Sequence, residues 1–446
     1  MMRLLYSLFM WLAQPLVRRK LARRGVQEPG YLHAVEERFG RYQGQPLADG
    51  GNTIWIHAVS LGETRAAAVL VARLRERLPG MRLLLTHGTA TGRAEGATLL
   101  REGDLQTWQP WDTPGAVQRF LHHFKPRIGI LIETELWPNL AAGCQQAGVP
   151  LVLANARLSD KSLRQARRLA WLARPAYRRL SAVWAQTQDD AARLAELGGP
   201  VCGVFGNLKF DATPNPAQLA AGRAWRSSLG RPVVMFASSR EGEEDALLQI
   251  LKSHQASALA KKNGVAIESV ANSIQWLMVP RHPQRFGEVA ALIESHGFAV
   301  MRRSAWGEGL PVPDEFGAPV IWLGDSVGEM ALYYGLSDLA LLGGSFAPLG
   351  GQNLIEAAAC SCPVVMGPHT FNFAEAAELA LAAGAAIRVP GLQGAVEVAQ
   401  TLVNDRSRHV AMVDAATRFS GANRGAVDKT VAAVLALLGQ QGVDAL

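Results

Sequence analysis

The chain has 446 residues, 49% of them hydrophobic and 19% charged, with a formal net charge of +7. That balance excludes a disordered chain and leaves room for two domains with cores of their own. The 4 cysteines, Cys144, Cys202, Cys360 and Cys362, lack zinc or redox spacing, which excludes a disulfide scaffold and fits a reducing compartment.

In chain order, the first segment, Leu4 to Val17, is nearly all apolar and carries Tyr6, Phe9 and Trp11, with Pro15 near its end. At roughly 14 residues it is short of the ~20 that span a bilayer as a helix. Arg18, Arg19, Lys20, Arg23 and Arg24 follow it. Apolar and aromatic residues before a basic run predict a single N-terminal anchor over residues 1–24, lying at a membrane surface. A buried N-terminal helix is the alternative. A second basic stretch, Lys161 to Arg179, is either a functional patch or a solvated helix face.

Strand-like and helix-like runs then alternate. Strands are predicted over Thr53–Val59, Arg82–Thr86, Ile128–Ile132, Leu151–Ala154, Ala182–Ala185 and Val201–Val204. Helical patterns lie between them at Thr64–Leu78, Pro114–Lys125, Leu140–Ala147 and Asp189–Glu196. The Pro-containing stretch Asp211–Pro216 interrupts the rhythm, which resumes with strands at Val233–Ala237, Trp276–Val279, Ala299–Met301, Val320–Leu323, Leu339–Leu342 and Pro363–Met366. Short apolar strands separated by helices imply parallel sheets covered on both faces. The expected architecture is α/β: two doubly wound, Rossmann-like domains facing each other across a cleft. The first covers residues 25–210, a linker 211–218 and the second domain 219–446.

Ligands of such sheets sit where strands end and helices begin. The turn His57-Ala-Val-Ser60-Leu-Gly62-Glu63 delivers one carboxylate there. Glu63 is either a general base or a carboxylate that favours the positive end of a helix. His87, in the next strand-end turn, is placed to shape an acceptor pocket. Glu133-Thr-Glu135-Leu-Trp137-Pro-Asn139, Asn155-Ala-Arg157 and Gly206-Asn-Leu-Lys209 end later strands. In the second half, Gly343–Glu356 reads as a strand, a glycine-rich loop and a helix from about Asn353, a phosphate-binding arrangement without a P-loop lysine. Arg281 offers a forked donor for phosphate, and Gly324–Glu329 a further loop. With Ser238-Ser239-Arg240 after the strand Val233–Ala237, four such loops favour a nucleotide-sugar site. No metal-ligand spacing and no Gly-x-Ser-x-Gly elbow is present, so neither a structural metal nor a serine hydrolase is expected.

Taken together these motifs resemble the Kdo (3-deoxy-D-manno-octulosonic acid) transferases of lipopolysaccharide biosynthesis. The resemblance rests on His57–Glu63, Glu133–Asn139, Asn155–Ser162, Gly206–Asp211, Pro280–Phe286, Gly324–Met330, Gly350–Ala358 and Gly367–Phe373. It implies a GT-B glycosyltransferase fold, with the acceptor site in the first domain and the nucleotide site in the second. It implies metal-independent, inverting transfer of Kdo from CMP-Kdo to the lipid A precursor (lipid IVA), with no cofactor. Glu63 would be the base, with Glu133 and Lys209 supporting the transition state. Arg281, His282, Val327, Gly328, Glu329, Asn353, Leu354, Ile355 and Glu356 fall at CMP-contacting positions. Ser60, Gly62, His87 and Arg157 are acceptor-site candidates. The expected location is the cytoplasmic leaflet of the inner membrane. Lys261–Gly264 and the run after it read as a surface elaboration. A nucleotide-sugar epimerase, a UDP-sugar transferase and a non-catalytic lipid-binding scaffold are the competing readings. Nucleic acid is the weakest partner, because the basic clusters lack interleaved aromatics.

Overall fold

The structure, a computed structural model, describes residues 2–47, 51–260, 274–307, 309–310 and 319–443; the expected elaboration at Lys261–Gly264 lies outside them. The chain divides into two compact units, Met1–Asp211 with Asn423–Leu446, and Ala212–Ala422.

The first unit holds β1 (Thr53–His57), β2 (Arg82–His87), β3 (Leu105–Trp108), β4 (Ile128–Ile132), β5 (Leu151–Ala156), β6 (Ala182–Ala185) and β7 (Val201–Val204). They form one parallel sheet in the order β3-β2-β1-β4-β5-β6-β7. The pleat sorts side chains between two cores. Ile54 and Ile56 of β1 pack with Ile128, Ile130 and Ile132 of β4 on one face. Trp55 and Leu131 pack on the other, beside Phe120. Burial on both faces explains the near-continuous apolar runs in these strands.

The second unit holds β8 (Val233–Ser239), β9 (Gln275–Pro280), β10 (Ala299–Arg302), β11 (Val320–Leu323), β12 (Leu339–Leu342), β13 (Val364–Met366) and β14 (Ala386–Arg388). Its parallel order is β10-β11-β9-β8-β12-β13-β14. In each sheet the strand order reverses beside the first strand, between β1 and β4 and between β8 and β12. Such switch points open a crevice at the strands' carboxyl ends.

The end of the chain departs from the expected boundary. The helix Ala426–Val443 belongs to the first unit, not to a domain running from 219 to 446. Its buried stripe, Val427, Val431, Val434 and Leu438, packs on the core face that holds Ile54 and Ile130. Asp211 fastens its start by accepting from the N–H groups of Gly425 (2.5 Å) and Val427 (2.7 Å).

The N-terminal apolar run forms two helices, Met2–Leu12 and Gln14–Gln27, with Pro15 in the first turn of the second. Among the described residues no helix is long and apolar enough to cross a membrane. Tyr6 donates to Asp112 (2.9 Å), Ser7 to Asn139 (3.0 Å), and the Trp111 indole to the carbonyl of Met10 (2.8 Å). These bonds fix one face of the first helix. The other exposes Leu4, Leu5, Leu8, Phe9 and Leu12, and Leu16 continues it.

Candidate active site

In the first unit, β1 ends at His57 and Ser60 caps the helix Leu61–Arg77. The Ser60 hydroxyl accepts from the Glu63 N–H (3.4 Å) and donates to Glu63 Oε1 (3.3 Å). Glu63 Oε2 accepts from the Val59 N–H at 2.5 Å. This is a capping box with the carboxylate reaching one residue further back than usual. A carboxylate at a helix N-terminus is ordinarily stabilised in its charged form. Here burial outweighs that, the neighbouring Glu133 and Glu135 add repulsion against the Val59 hydrogen bond, and the carboxyl is pushed up to about 7. The helix-capping reading of Glu63 is thus seen directly in its hydrogen bonds.

Glu133 lies across the switch point, just past β4, with φ at 67°. Left-handed backbone is uncommon for a residue with a side chain and clusters at functional sites. Its N–H donates to Ala154 (3.0 Å), and its carboxylate accepts from Lys209 Nζ (3.0 Å) in a mostly buried ion pair. Lys209 sits beside a chain of amides, Asn155, Gln186 and Asn207, of which sequence reading missed Gln186. Asn155, at φ 52°, accepts from the Leu208 N–H (3.0 Å), and its carbonyl accepts from Gln186 (2.8 Å). Gln186 in turn accepts from Asn207 (3.1 Å). The detectable signal was a buried-type amide at the end of each successive strand.

The acceptor-site candidates separate. Ser60 is half-buried, whereas Gly62 and Arg157 are exposed. Space around Gly62 is open enough that a Cβ would meet nothing within 4 Å. The expectation for His87 needs correction. It is 0% exposed, with Nδ1 at 2.9 Å from the Ala58 carbonyl and Nε2 at 3.1 Å from the Gln106 amide. Burial holds it neutral, down to about 4. It pins two strand ends together instead of facing a ligand.

In the second unit, Ser238, next to the end of β8, has φ 54°, and the register shifts there against β9. Gly343 lies so close that a Cβ would sit 2.3 Å from the Ser238 carbonyl oxygen. The glycine-rich loop that follows corrects the phosphate-loop expectation in part. The buried Glu243 carboxylate accepts from the N–H groups of Gly344 (2.7 Å), Phe346 (3.2 Å), Ala347 (3.2 Å) and Arg240 (3.0 Å). The nest of loop amides is thus filled by a carboxylate of the chain itself. Beyond it, Asn353 caps the helix Leu354–Ala359 by accepting from Ile355 (3.1 Å) and donates to Glu356 Oε1 (3.0 Å). Leu354 and Ile355 are each 1% exposed, so only their backbones are placed for recognition.

The cationic corner lies at the ends of β8 and β9. Burial first, then the guanidinium groups of Arg240, Arg281 and Arg285, hold His282 below its ordinary value. Arg285 is committed to the fully buried Glu244 (2.9 Å) and to Glu288 (2.8 Å). Arg240 and Arg281 add to the field at this corner, and sequence reading named both, Arg281 as the phosphate donor and Arg240 in the turn after β8. On the loop after β11, Val327 is exposed and Gly328 has φ 82°. Glu329 is paired with Arg303 (3.0 Å) and takes a hydrogen bond from Ser326, so it shapes the loop. Among the described residues no group of His, Cys, Asp or Glu is arranged to hold a metal ion.

Comparison with known proteins places this geometry. The family model described as 3-Deoxy-D-manno-octulosonic-acid transferase (kdotransferase) matches residues 33–212. A 3-deoxy-D-manno-octulosonic acid transferase of Bordetella pertussis is 45% identical over 437 residues, 97% of this chain and 96% of that protein. One of Haemophilus influenzae is 33% identical over 96% of this chain and 97% of its own length. Among solved structures, the UDP-GlcNAc 2-epimerase of Neisseria meningitidis bound to UDP-GlcNAc superposes with a TM-score of 0.52 at 16% identity, covering 86% of this chain and 99% of that one. That likeness shows the fold, two parallel-sheet α/β domains as in GT-B glycosyltransferases. With near full-length identity at these levels, the chain belongs to the 3-deoxy-D-manno-octulosonic acid transferase family.

Proposed function

We propose that this Kdo transferase moves Kdo from CMP-Kdo to a hydroxyl of the lipid A precursor (lipid IVA), inverting the anomeric centre, without metal or cofactor. The observation that carries the reading is Glu63, a carboxyl raised to about 7 at the mouth of the first unit's switch point. A base is most effective when its pKa is near the operating pH. Glu63 would take the proton from the acceptor hydroxyl as oxygen attacks the anomeric carbon and CMP departs from the opposite face. Glu133 keeps Glu63 basic through repulsion, and Lys209 keeps Glu133 in place. In the second unit Arg281 and His282, with Arg240 beside them, would bind the donor phosphate, where fixed cations offset the charge of the departing group. Backbone at Val327, Gly328, Asn353, Leu354 and Ile355, and the carboxylates of Glu329 and Glu356, complete the proposed CMP site. Ser60, Gly62 and Arg157 are the acceptor-side candidates.

The acceptor would be met at the cytoplasmic face of the inner membrane. The exposed Leu4, Leu5, Leu8, Phe9, Leu12 and Leu16 form a face of the kind that lies in a lipid interface. The helix Ala170–Tyr177 packs beside Met2–Leu12 and adds exposed Trp171, with Lys161, Arg164 and Arg168 nearby in sequence to meet anionic headgroups. Purified protein, CMP-Kdo and lipid A precursor, with products weighed by mass spectrometry, test the reaction. Transfer by wild type and its loss in Glu63→Gln are expected; transfer that survives in a folded Glu63→Gln removes Glu63 as base.

A further inference from the structure

The basic run after the N-terminal helix is not one surface. Along the helix Gln14–Gln27, Val17, Lys20, Leu21 and Arg24 share a face, at the spacing that puts residues on one side. That face lines a cavity of about 230 Å3 in the first unit. Arg19 and Arg23 do not line it, and Arg18 is spent on Glu36 and on the Phe39 ring. The cavity has room for several waters.

Its lining is largely apolar, with polar and cationic groups set into it. Gln109 buries both side-chain amide atoms, and Arg38 its Nε, with no hydrogen-bond partner. An unsatisfied buried polar group costs free energy that a ligand can recover. Arg38 is fixed by stacking 3.7 Å from the Trp108 ring centroid and by donating to the Gly88 carbonyl (3.1 Å). Two carboxylates also line the space. Asp112 is occupied by Tyr6 and the N–H groups of Asn139 and Leu140, and Glu135 accepts from the Trp137 indole (2.7 Å). Lys20, Arg24 and Arg38 leave the balance positive. Val59, the residue whose N–H holds Glu63, is part of the same wall.

We infer that this cavity is a subsite for a phosphorylated sugar ring of the acceptor, with Lys20 and Arg24 binding the phosphate and Gln109 hydrogen-bonding the ring hydroxyls. The inference rests on the proposed transfer to a sugar acceptor and adds how that acceptor is chosen. The same phosphate chemistry exists on membrane headgroups, and the experiment separates the two sources.

Transfer is measured with full-length protein in neutral detergent micelles, using lipid A precursor with and without its phosphates. Wild type favours the phosphorylated acceptor. Lys20→Ala/Arg24→Ala lowers that preference about tenfold, through KM and not kcat, as loss of charge-assisted hydrogen bonds predicts. Arg19→Ala/Arg23→Ala removes the same charge from the same helix and leaves the preference unchanged. If both double variants lower it equally, or neither does, the subsite is overturned in favour of general attraction to phosphate-bearing surfaces. Titration with glucosamine 1-phosphate reads the cavity without transfer. Binding that Gln109→Leu abolishes supports the subsite, and binding that it leaves intact overturns it. Wild type that binds this probe yet transfers no Kdo would fault the proposed reaction and not the cavity.

Discussion

Glu63 and Glu243 occupy matching places in the two units. Each follows the first strand of its sheet, at the start of the helix after it. In each, burial raises the carboxyl above its ordinary value. Their surroundings differ. Glu243 is 3% exposed and gathers four backbone N–H donors, so it fastens the glycine-rich loop. Glu63 takes one N–H and one hydroxyl, and has carboxylates for neighbours. One sequence signal thus yields a structural lock in one unit and the proposed proton acceptor in the other. Donor count and neighbouring charge decide which.

The largest effect expected from breaking this contrast is in Glu63→Gln, which should lose ~10²–10⁴ in kcat, the usual worth of general-base catalysis. Its stability should move the other way. The folded-state value near 7 exceeds the ordinary 4.5, so ionising Glu63 is harder in the folded chain than in the unfolded one. That penalty is absent below the ordinary value and fully present above 7. Glu63→Gln should therefore melt no lower than wild type at pH 8, and equal or higher midpoints by calorimetry check it.

Glu243→Ala should do the reverse. Four orphaned donors, partly rescued by entering water, imply a loss of about 3 kcal/mol in stability. CMP binding by isothermal titration should weaken as the loop loosens. An unchanged denaturation midpoint would mean that the loop holds its shape without Glu243.

Next in size is the membrane face. Leu8→Asp/Phe9→Asp places charge where two apolar side chains are proposed to enter lipid, each worth roughly 1.5–3 kcal/mol when buried. Vesicle sedimentation should show partitioning reduced at least about tenfold, with CMP binding intact. Smallest is Glu133→Gln. Removing its repulsion lowers the Glu63 value, so the acid limb of activity should move to lower pH.

Much of the frame was legible because both sheets are buried on both faces. Ile128–Ile132 and Leu339–Leu342 are unbroken apolar runs, and the structure returns them as β4 and β12. Of the edge strands, β7 and β10 were legible, and β3 and β14 were not. β3 reads Leu-Gln-Thr-Trp, half polar, and β14 has only 3 residues. The final helix shows its apolar stripe in sequence, but nothing local says which sheet will bury it. The site divides the same way. The position of Glu63 follows from a strand, a cap and a helix, all contiguous. Its raised value does not, because it depends first on burial in the folded chain and then on Glu133 and Glu135, brought across the switch point from β4. Glu243 sat just after the Ser238-Ser239-Arg240 turn already noted, and the Ser-to-Glu spacing after β8 could have drawn attention to it. His87 misled because a strand-end histidine looks the same whether it faces a ligand or a neighbouring backbone.

The most direct test of Glu63 as the proton acceptor is kcat/KM against pH, with CMP-Kdo and lipid A precursor, for wild type and Glu133→Gln. The account predicts a wild-type profile that falls as pH drops through about 7, and a fall displaced to lower pH in Glu133→Gln. A wild-type limb near the ordinary carboxylate value, unmoved by Glu133→Gln, would contradict it.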